Sequence, residues 1–284
     1  MKKITLFLII LNIWACENTP KAPPQYKTVK TGGATENIDL QQVKDISVPR
    51  GYERVSHTEG AFGRFLSHQK LKKDKTVYLF DGRKKGNQMA QYAVLDVSVG
   101  NRDLQQCADA VMRLRGEYLY EQKAYDKIAF HAVSGELMRF LDWANGSHNL
   151  LNSNNLSQSL KPSADISYSN FLKYMNFVFA YASTLSLEKE LIPLSKISDI
   201  QAGDVFIKGG APGHAIIVMD VATNKAHGKK IFLLAQSYMP AQDIHILKNG
   251  NDNILSPWYS ADFGSVLHTP EWDFDKNSLR RFVN

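Results

Sequence analysis

Gly203-Asp204-Val205-Phe206-Ile207, then Gly213-His214-Ala215-Ile216-Ile217-Val218-Met219-Asp220-Val221, then Ile231-Phe232-Leu233-Leu234-Ala235-Gln236-Ser237 are three apolar runs set apart by short polar breaks. Their length, and their richness in β-branched and aromatic residues, predict strands rather than helices. Gln201–Asp204 reads as the turn that opens the first run. Gly209-Gly210-Ala211-Pro212-Gly213 reads as a tight loop that places His214 at the start of the second strand. Asp243–Leu247 adds a further short strand, so the late part of the chain reads as an antiparallel run.

Upstream of this run the pattern is mixed. Thr76–Phe80 reads as a strand closed by the Asp81-Gly82 turn, and Tyr92–Val99 alternates apolar and polar, as a strand with one buried side does. Asp103 is the expected N-cap of a helix running to about Tyr120, with Leu104, Cys107, Ala108, Val111, Leu114 and Tyr118 on its apolar stripe. In that reading Cys107 sits one turn inside the helix. Ile128–Val133 reads as a strand, residues 145–169 as an irregular Asn/Ser-rich insertion, and Phe171 to about Glu190 as one long aromatic helix ended by Pro193. The C-terminal part, with Trp258, Tyr259 and Trp272, reads as an irregular packed tail. The expected fold class is α+β, an antiparallel sheet with packed helices plus insertions.

The chain opens with Met1-Lys2-Lys3 and an apolar run from Ile4 through Trp14. That run is shorter than the roughly 20 apolar residues a permanent span requires, and it has the layout of a secretory signal. Ile13-Trp14-Ala15-Cys16 resembles the bacterial lipobox, which implies cleavage after Ala15 and a lipid on Cys16. The expected organisation is a signal peptide over 1–15, a lipidated and flexible Pro/Gly-bearing tether over 16–37, and one globular domain over 38–284. The expected location is the periplasmic or outer-membrane face of a bacterial membrane, reached through the lipid.

Of 284 residues, 44% are hydrophobic and 22% charged, enough for a real core, and the net charge of +6 is scattered rather than blocked. Scattered charge in an exported chain argues against a nucleic-acid partner. No His/Cys/Asp cluster has zinc spacing, Gly209-Gly210 lacks the lysine and serine of a P-loop, and Ser134-Gly135 lacks a nucleophile elbow. No metal and no cofactor are expected. His131 reads as a structural or exposed strand residue, His245 alternates outward from Ile244 and Ile246 and is expected to meet solvent, and Asp96 reads as a third active-site carboxylate or a polar edge residue. With Cys16 lipidated, Cys107 has no partner and is either a buried small apolar residue or a reactive thiol.

The Gly-Asp turn, the histidine that opens a strand after Gly213, and the polar residue late in the next strand resemble the NlpC-like and CHAP peptidases of the papain-like cysteine hydrolases. That resemblance implies a papain-like fold, Cys107 as nucleophile, His214 as its base and Gln236 as the residue that orients the imidazole, with Gln105 or Gln106 near an oxyanion. Neighbours on a strand point opposite ways, so the sequence leaves open whether Gln236 or Ser237 faces the histidine. It departs from the pattern in the long separation of Cys107 from His214, and in a glutamine where a His, Asn or acid is usual. A histidine after Gly213 is also expected to be accessible. Over the whole mature chain, Asp81-Gly82-Arg83 with Gly86-Asn87-Gln88, Gly100 through Val111, and Ala235 through Gln242 resemble a bacterial family termed domain of unknown function 4846. Two functions follow as expectations. One is an envelope-anchored cysteine amidase or peptidase acting on peptidoglycan peptides. The other is a non-catalytic lipoprotein that binds envelope glycan, peptide or protein through Trp258, Tyr259 and Trp272.

Overall fold

The computed structural model describes residues 40–147 and 160–283. The expected signal peptide over 1–15, Cys16, the expected tether over 16–37 and much of the Asn/Ser-rich insertion lie outside the described residues.

Through Asp142 and beyond, the chain forms β1 (Tyr52–Arg54), α1 (Phe62–Ser67), β2 (Gln91–Val94), α2 (Cys107–Glu121), β3 (Ala129–His131), β4 (Leu137–Arg139) and α3 (Phe140–Ala144). Then follow α4 (Tyr168–Tyr181), α5 (Thr184–Glu190), β5 (Ile192–Pro193), β6 (Val205–Lys208), β7 (His214–Asn224), β8 (Lys230–Gln236) and β9 (His245–Leu247). The chain closes with β10 (Tyr259–Ser260), β11 (Val266–His268), β12 (Asp273–Asp275) and β13 (Leu279–Arg281).

A nine-stranded sheet runs β2-β9-β8-β7-β6-β13-β5, with β1 pairing to β7 and β10 to β8. Every pairing in it is antiparallel. The fold is therefore α+β, as composition and pattern predict. β7 and β8 are apolar on both faces because the sheet is covered on both. On one face Ala215, Ile217, Met219, Leu233 and Ala235 join the helices in the larger core. On the other, Ile216, Val218, Phe232 and Leu234 meet Leu267, Phe274 and Leu279 of the C-terminal strands.

Helix α2 lies against the first core, burying Cys107, Ala108, Val111, Met112 and Leu114. Its one glycine, Gly116, is where α4 crosses: a Cβ there would stand 3.1 Å from Met175 Sδ and 3.3 Å from Phe171 Cζ. A glycine costs helix propensity of about 1 kcal/mol, which the close helix crossing offsets.

Several expectations are corrected. Thr76–Phe80 forms isolated bridges, Tyr78 to Lys84 and Leu79 to Gln242, rather than a strand. The strand read over Tyr92–Val99 runs Gln91–Val94 and continues as one bridge at Leu95. The single helix expected over Phe171–Glu190 is two. Ala182 is extended, and Ser183 caps the second by accepting from the Leu185 N–H. The C-terminal tail is not irregular. Its last strand, β13, enters the main sheet between β6 and β5, where Arg281 donates to both carboxylate oxygens of fully buried Asp204, at 2.7 and 2.9 Å. The Asp of the Gly-Asp turn is thus an anchor for the C-terminus.

Candidate functional site

Cys107 is the first residue of α2, not one turn inside it. Asp103 is not the cap because its carboxylate is committed elsewhere, accepting from the Ala241 N–H at 2.7 Å and from the Gln106 side chain at 3.0 Å. Gln106 is the N-cap, reciprocally bonded with Asp109 in a capping box. At this position the unpaired amides and the positive end of the helix dipole favour a thiolate. The Ala215 N–H, directed at the sulfur, favours it further. Burial wins over both: Cys107 is 8% exposed and its thiol is pushed up to about 11. The resting group is a neutral thiol.

His214 opens β7 and is 1% exposed, so the expectation of an accessible histidine fails. Gly213 is required for a different reason. A Cβ there would lie 2.3 Å from Gly210 O, 2.5 Å from Thr184 Oγ1 and 2.8 Å from Lys208 O, so the backbone packs too tightly for any side chain. The imidazole is enclosed by the rings of Tyr238 at 4.9 Å, Trp272 at 5.3 Å and Phe274 at 5.8 Å. Burial, helped by the charge of Lys85, pulls His214 down to about 4, so the ring is neutral at pH 7.

Gln236, at the end of β8, is the partner of His214: Nε2 of the ring lies 3.0 Å from Oε1 of the amide. Its own amide nitrogen donates to Glu271 Oε2 at 2.7 Å. Glu271 also receives Lys85 Nζ at 2.5 Å and Asn87 Nδ2 at 3.2 Å. His245, directly across the ladder from Gln236, points its Nε2 at Lys85 Nζ, 3.4 Å away, and at the Gln236 amide nitrogen, 3.5 Å away. Its Nδ1 donates to the Asp243 carbonyl at 2.9 Å, which leaves Nε2 as an acceptor. Burial and then Lys85 hold His245 down to about 3. The expectation that His245 meets solvent is overturned, because the outward face of β9 is covered too and the residue is fully buried.

The donor and acceptor roles in this chain follow from chemistry. A carboxylate only accepts, so the Gln236 nitrogen must face Glu271 and its oxygen must face His214. An amide oxygen only accepts, so His214 Nε2 carries the proton and Nδ1 holds the lone pair. Nδ1 makes no hydrogen bond to any described residue, and no hydrogen bond joins it to Cys107. The structure thus brings His214 and Gln236 into direct contact and sets the Cys107 sulfur against the next backbone amide.

Sequence reasoning missed Glu271, Lys85 and His245. Lys85 lies inside the Asp81–Gln88 phrase, whose structural use is now visible: Lys85 and Asn87 grip Glu271. Of the other candidates, Gln105 is buried, its Oε1 accepting from Arg113 Nη1 at 2.9 Å. His131 is half-exposed and lies 3.2 Å from Glu190. Asp96 is exposed. Trp258 and Tyr259 are core residues and offer no binding surface, while Trp272 is partly exposed. The described residues contain no group of three or more His, Cys, Asp or Glu suited to a metal ion, and no helix long and apolar enough to cross a membrane.

These features define an α+β protein with a buried Cys/His/Gln/Glu/Lys cluster at the ends of two central strands. The chain belongs to the family described as domain of unknown function (4846), whose model matches residues 43–281. No curated protein matches the chain. No solved structure matches it either.

Proposed function

We propose that the chain is a cysteine-dependent amidase or peptidase with a papain-like arrangement, tethered to a bacterial envelope through a lipid on Cys16 and acting on peptidoglycan peptides. The observation that carries this reading is the 3.0 Å contact of His214 Nε2 with Gln236 Oε1 at the strand end where the Cys107 sulfur sits at a helix N-terminus. A nucleophile needs a base, and the base needs a third group to fix its tautomer. Here the third group leaves Nδ1 unbonded, ready to take a proton.

In the proposed reaction, Cys107 Sγ adds to the carbonyl carbon of an amide while its proton passes to His214 Nδ1. The C–N bond then breaks as Nδ1–H protonates the leaving nitrogen, leaving a thioester on Cys107. Water attacks the thioester, gives a proton to Nδ1, and the S–C bond breaks to release a carboxylic acid and the thiol. Because thiol and imidazole both rest neutral, proton transfer accompanies attack instead of preceding it. A cleft of about 380 Å³ reaches Phe274, the ring stacked on His214, and is lined also by Lys208, Asp273 and Asp275. Cys107, His214 and Gln236 do not line it, so in this reading a peptide reaches the thiol only when the rings over His214 move aside.

The test is digestion of purified peptidoglycan by the full chain, with released peptides identified by mass spectrometry. Wild type is expected to release them, and Cys107→Ala and His214→Ala are expected not to, with circular dichroism unchanged. Equal release by Cys107→Ala would refute the reading. For the anchor, Cys16→Ser is expected to abolish incorporation of labelled palmitate.

A further inference from the structure

A neutral glutamine is a weak partner for a catalytic imidazole. Its amide has no charge to stabilise an imidazolium, and it can flip, presenting N–H where oxygen is needed. A flipped Gln236 would set a donor against His214 Nε2, move the ring proton to Nδ1 and remove the base. In this chain both amide hydrogens of Gln236 face acceptors, Glu271 Oε2 at 2.7 Å and His245 Nε2 at 3.5 Å. A flip would turn the amide oxygen toward a carboxylate, an arrangement with no proton to share. Glu271 is itself held, by Lys85 at 2.5 Å and Asn87 at 3.2 Å. Lys85 and Glu271 have side chains only 6% and 13% exposed, so the pair acts where water screens little.

We propose that Glu271, seated by Lys85, is a positioning residue that locks the Gln236 amide and thereby keeps His214 in the tautomer with its lone pair on Nδ1. This rests on the reading of His214 as the base for Cys107. The charge of Glu271 is met by Lys85, so its part is geometric: it fixes which end of the Gln236 amide faces His214. Around the imidazole stand Gln236 by hydrogen bond, the rings of Tyr238, Trp272 and Phe274, and through space Lys85 and His245. Among the described residues the ring's hydrogen bond is to Gln236, so the tautomer is set there.

The experiment uses the full chain with ¹⁵N-labelled histidine. The ring ¹⁵N shifts of His214 report its tautomer at pH 7.5, and the rate of Cys107 alkylation by iodoacetamide reports the base. Wild type is expected to hold the Nε2–H tautomer alone. Glu271→Gln is expected to give a mixture of tautomers and slow alkylation about tenfold, the low end of the loss when the hydrogen-bond partner of a metal-bound histidine is removed. Glu271→Asp is expected to restore the single tautomer. Because Glu271→Gln strands the Lys85 ammonium, the double variant Lys85→Met with Glu271→Gln removes both charges and is expected to show the same mixture in a folded chain. An unchanged tautomer, or an unchanged rate, in both variants would overturn the proposal. Peptidoglycan release that survives Cys107→Ala would instead remove the enzyme reading, and the tautomer measurement distinguishes the two failures.

Discussion

Replacing His214 by Asn should make the protein less sensitive to acid. His214 ionises at about 4 when folded, because burial opposes its charge, against an ordinary value of 6.5. The folded chain therefore binds its proton later than the unfolded chain does. The stability this group contributes is complete above about pH 6.5 and is lost as the pH falls toward 4. At pH 5 an unfolded histidine is almost fully protonated and the folded one is about nine-tenths neutral. Each pH unit across that window is worth about 1.4 kcal/mol, so His214 alone removes about 2 kcal/mol between pH 7 and pH 5. His214→Asn is expected to be less stable than wild type at pH 7, since it opens space among Tyr238, Trp272 and Phe274. That gap should narrow by about 2 kcal/mol at pH 5. Urea denaturation at the two pH values measures it, and comparing variant with wild type cancels the contributions of buried carboxyls remote from His214. A gap of the same size at both pH values would show that His214 is not held neutral by burial and would refute the reasoning.

Other consequences concern the scaffold of the site. Arg281→Ala leaves the fully buried Asp204 without its guanidinium and removes the side-chain clamp on β13, at a cost of about 3–5 kcal/mol read as a lower urea midpoint. Asp109, buried in the first turn of α2, has its carboxyl pushed up to about 8 by burial, so its contribution is present in acid and is lost as the pH rises from about 4 to 8. Asp109→Asn keeps an acceptor for the Gln106 N–H, and between pH 5 and pH 8 its stability should gain on wild type by roughly 3–4 kcal/mol in urea melts. Gly213→Ala must push apart Gly210, Thr184 and Lys208, and is expected to lose several degrees of Tm and to displace His214, seen as a changed ring ¹⁵N spectrum.

The centre of the fold was legible because β7 and β8 are long apolar runs that only a sheet covered on both sides can bury. The same fact explains the misreading of His245. Alternation correctly set it opposite Ile244 and Ile246, but outward from one core was inward to another. β13 was hidden because Leu279-Arg280-Arg281 looks like a charged surface segment until Asp204 is seen to take Arg281. The break between α4 and α5 had a local signal in Ser183-Thr184, outweighed by the continuous aromatic pattern on either side. At the site, the sequence placed His214 beside the end of β8 but left Gln236 and Ser237 as alternatives, and the structure gives the contact to Gln236 while Ser237 bonds the Gln105 and Gln242 carbonyls. Glu271 could not, since it stands between Pro270 and Trp272 in a segment without periodicity, and only the tertiary fold brings it to Lys85. The start of α2 was misplaced because Asp103 is a good N-cap by type, and nothing local reveals that it is bonded to Ala241 instead.

The most direct test of the central claim is labelling of Cys107 at pH 7 by a peptide-like vinyl sulfone, with the full chain folded, and the adduct located by mass spectrometry. A thiol at about 11 is only about one part in ten thousand thiolate at that pH, so unassisted reaction would be very slow. The account predicts His214-dependent labelling, fast in wild type and near background in His214→Ala. Equal labelling with and without His214, or labelling only after the protein unfolds, would contradict it and make Cys107 a structural residue of the core.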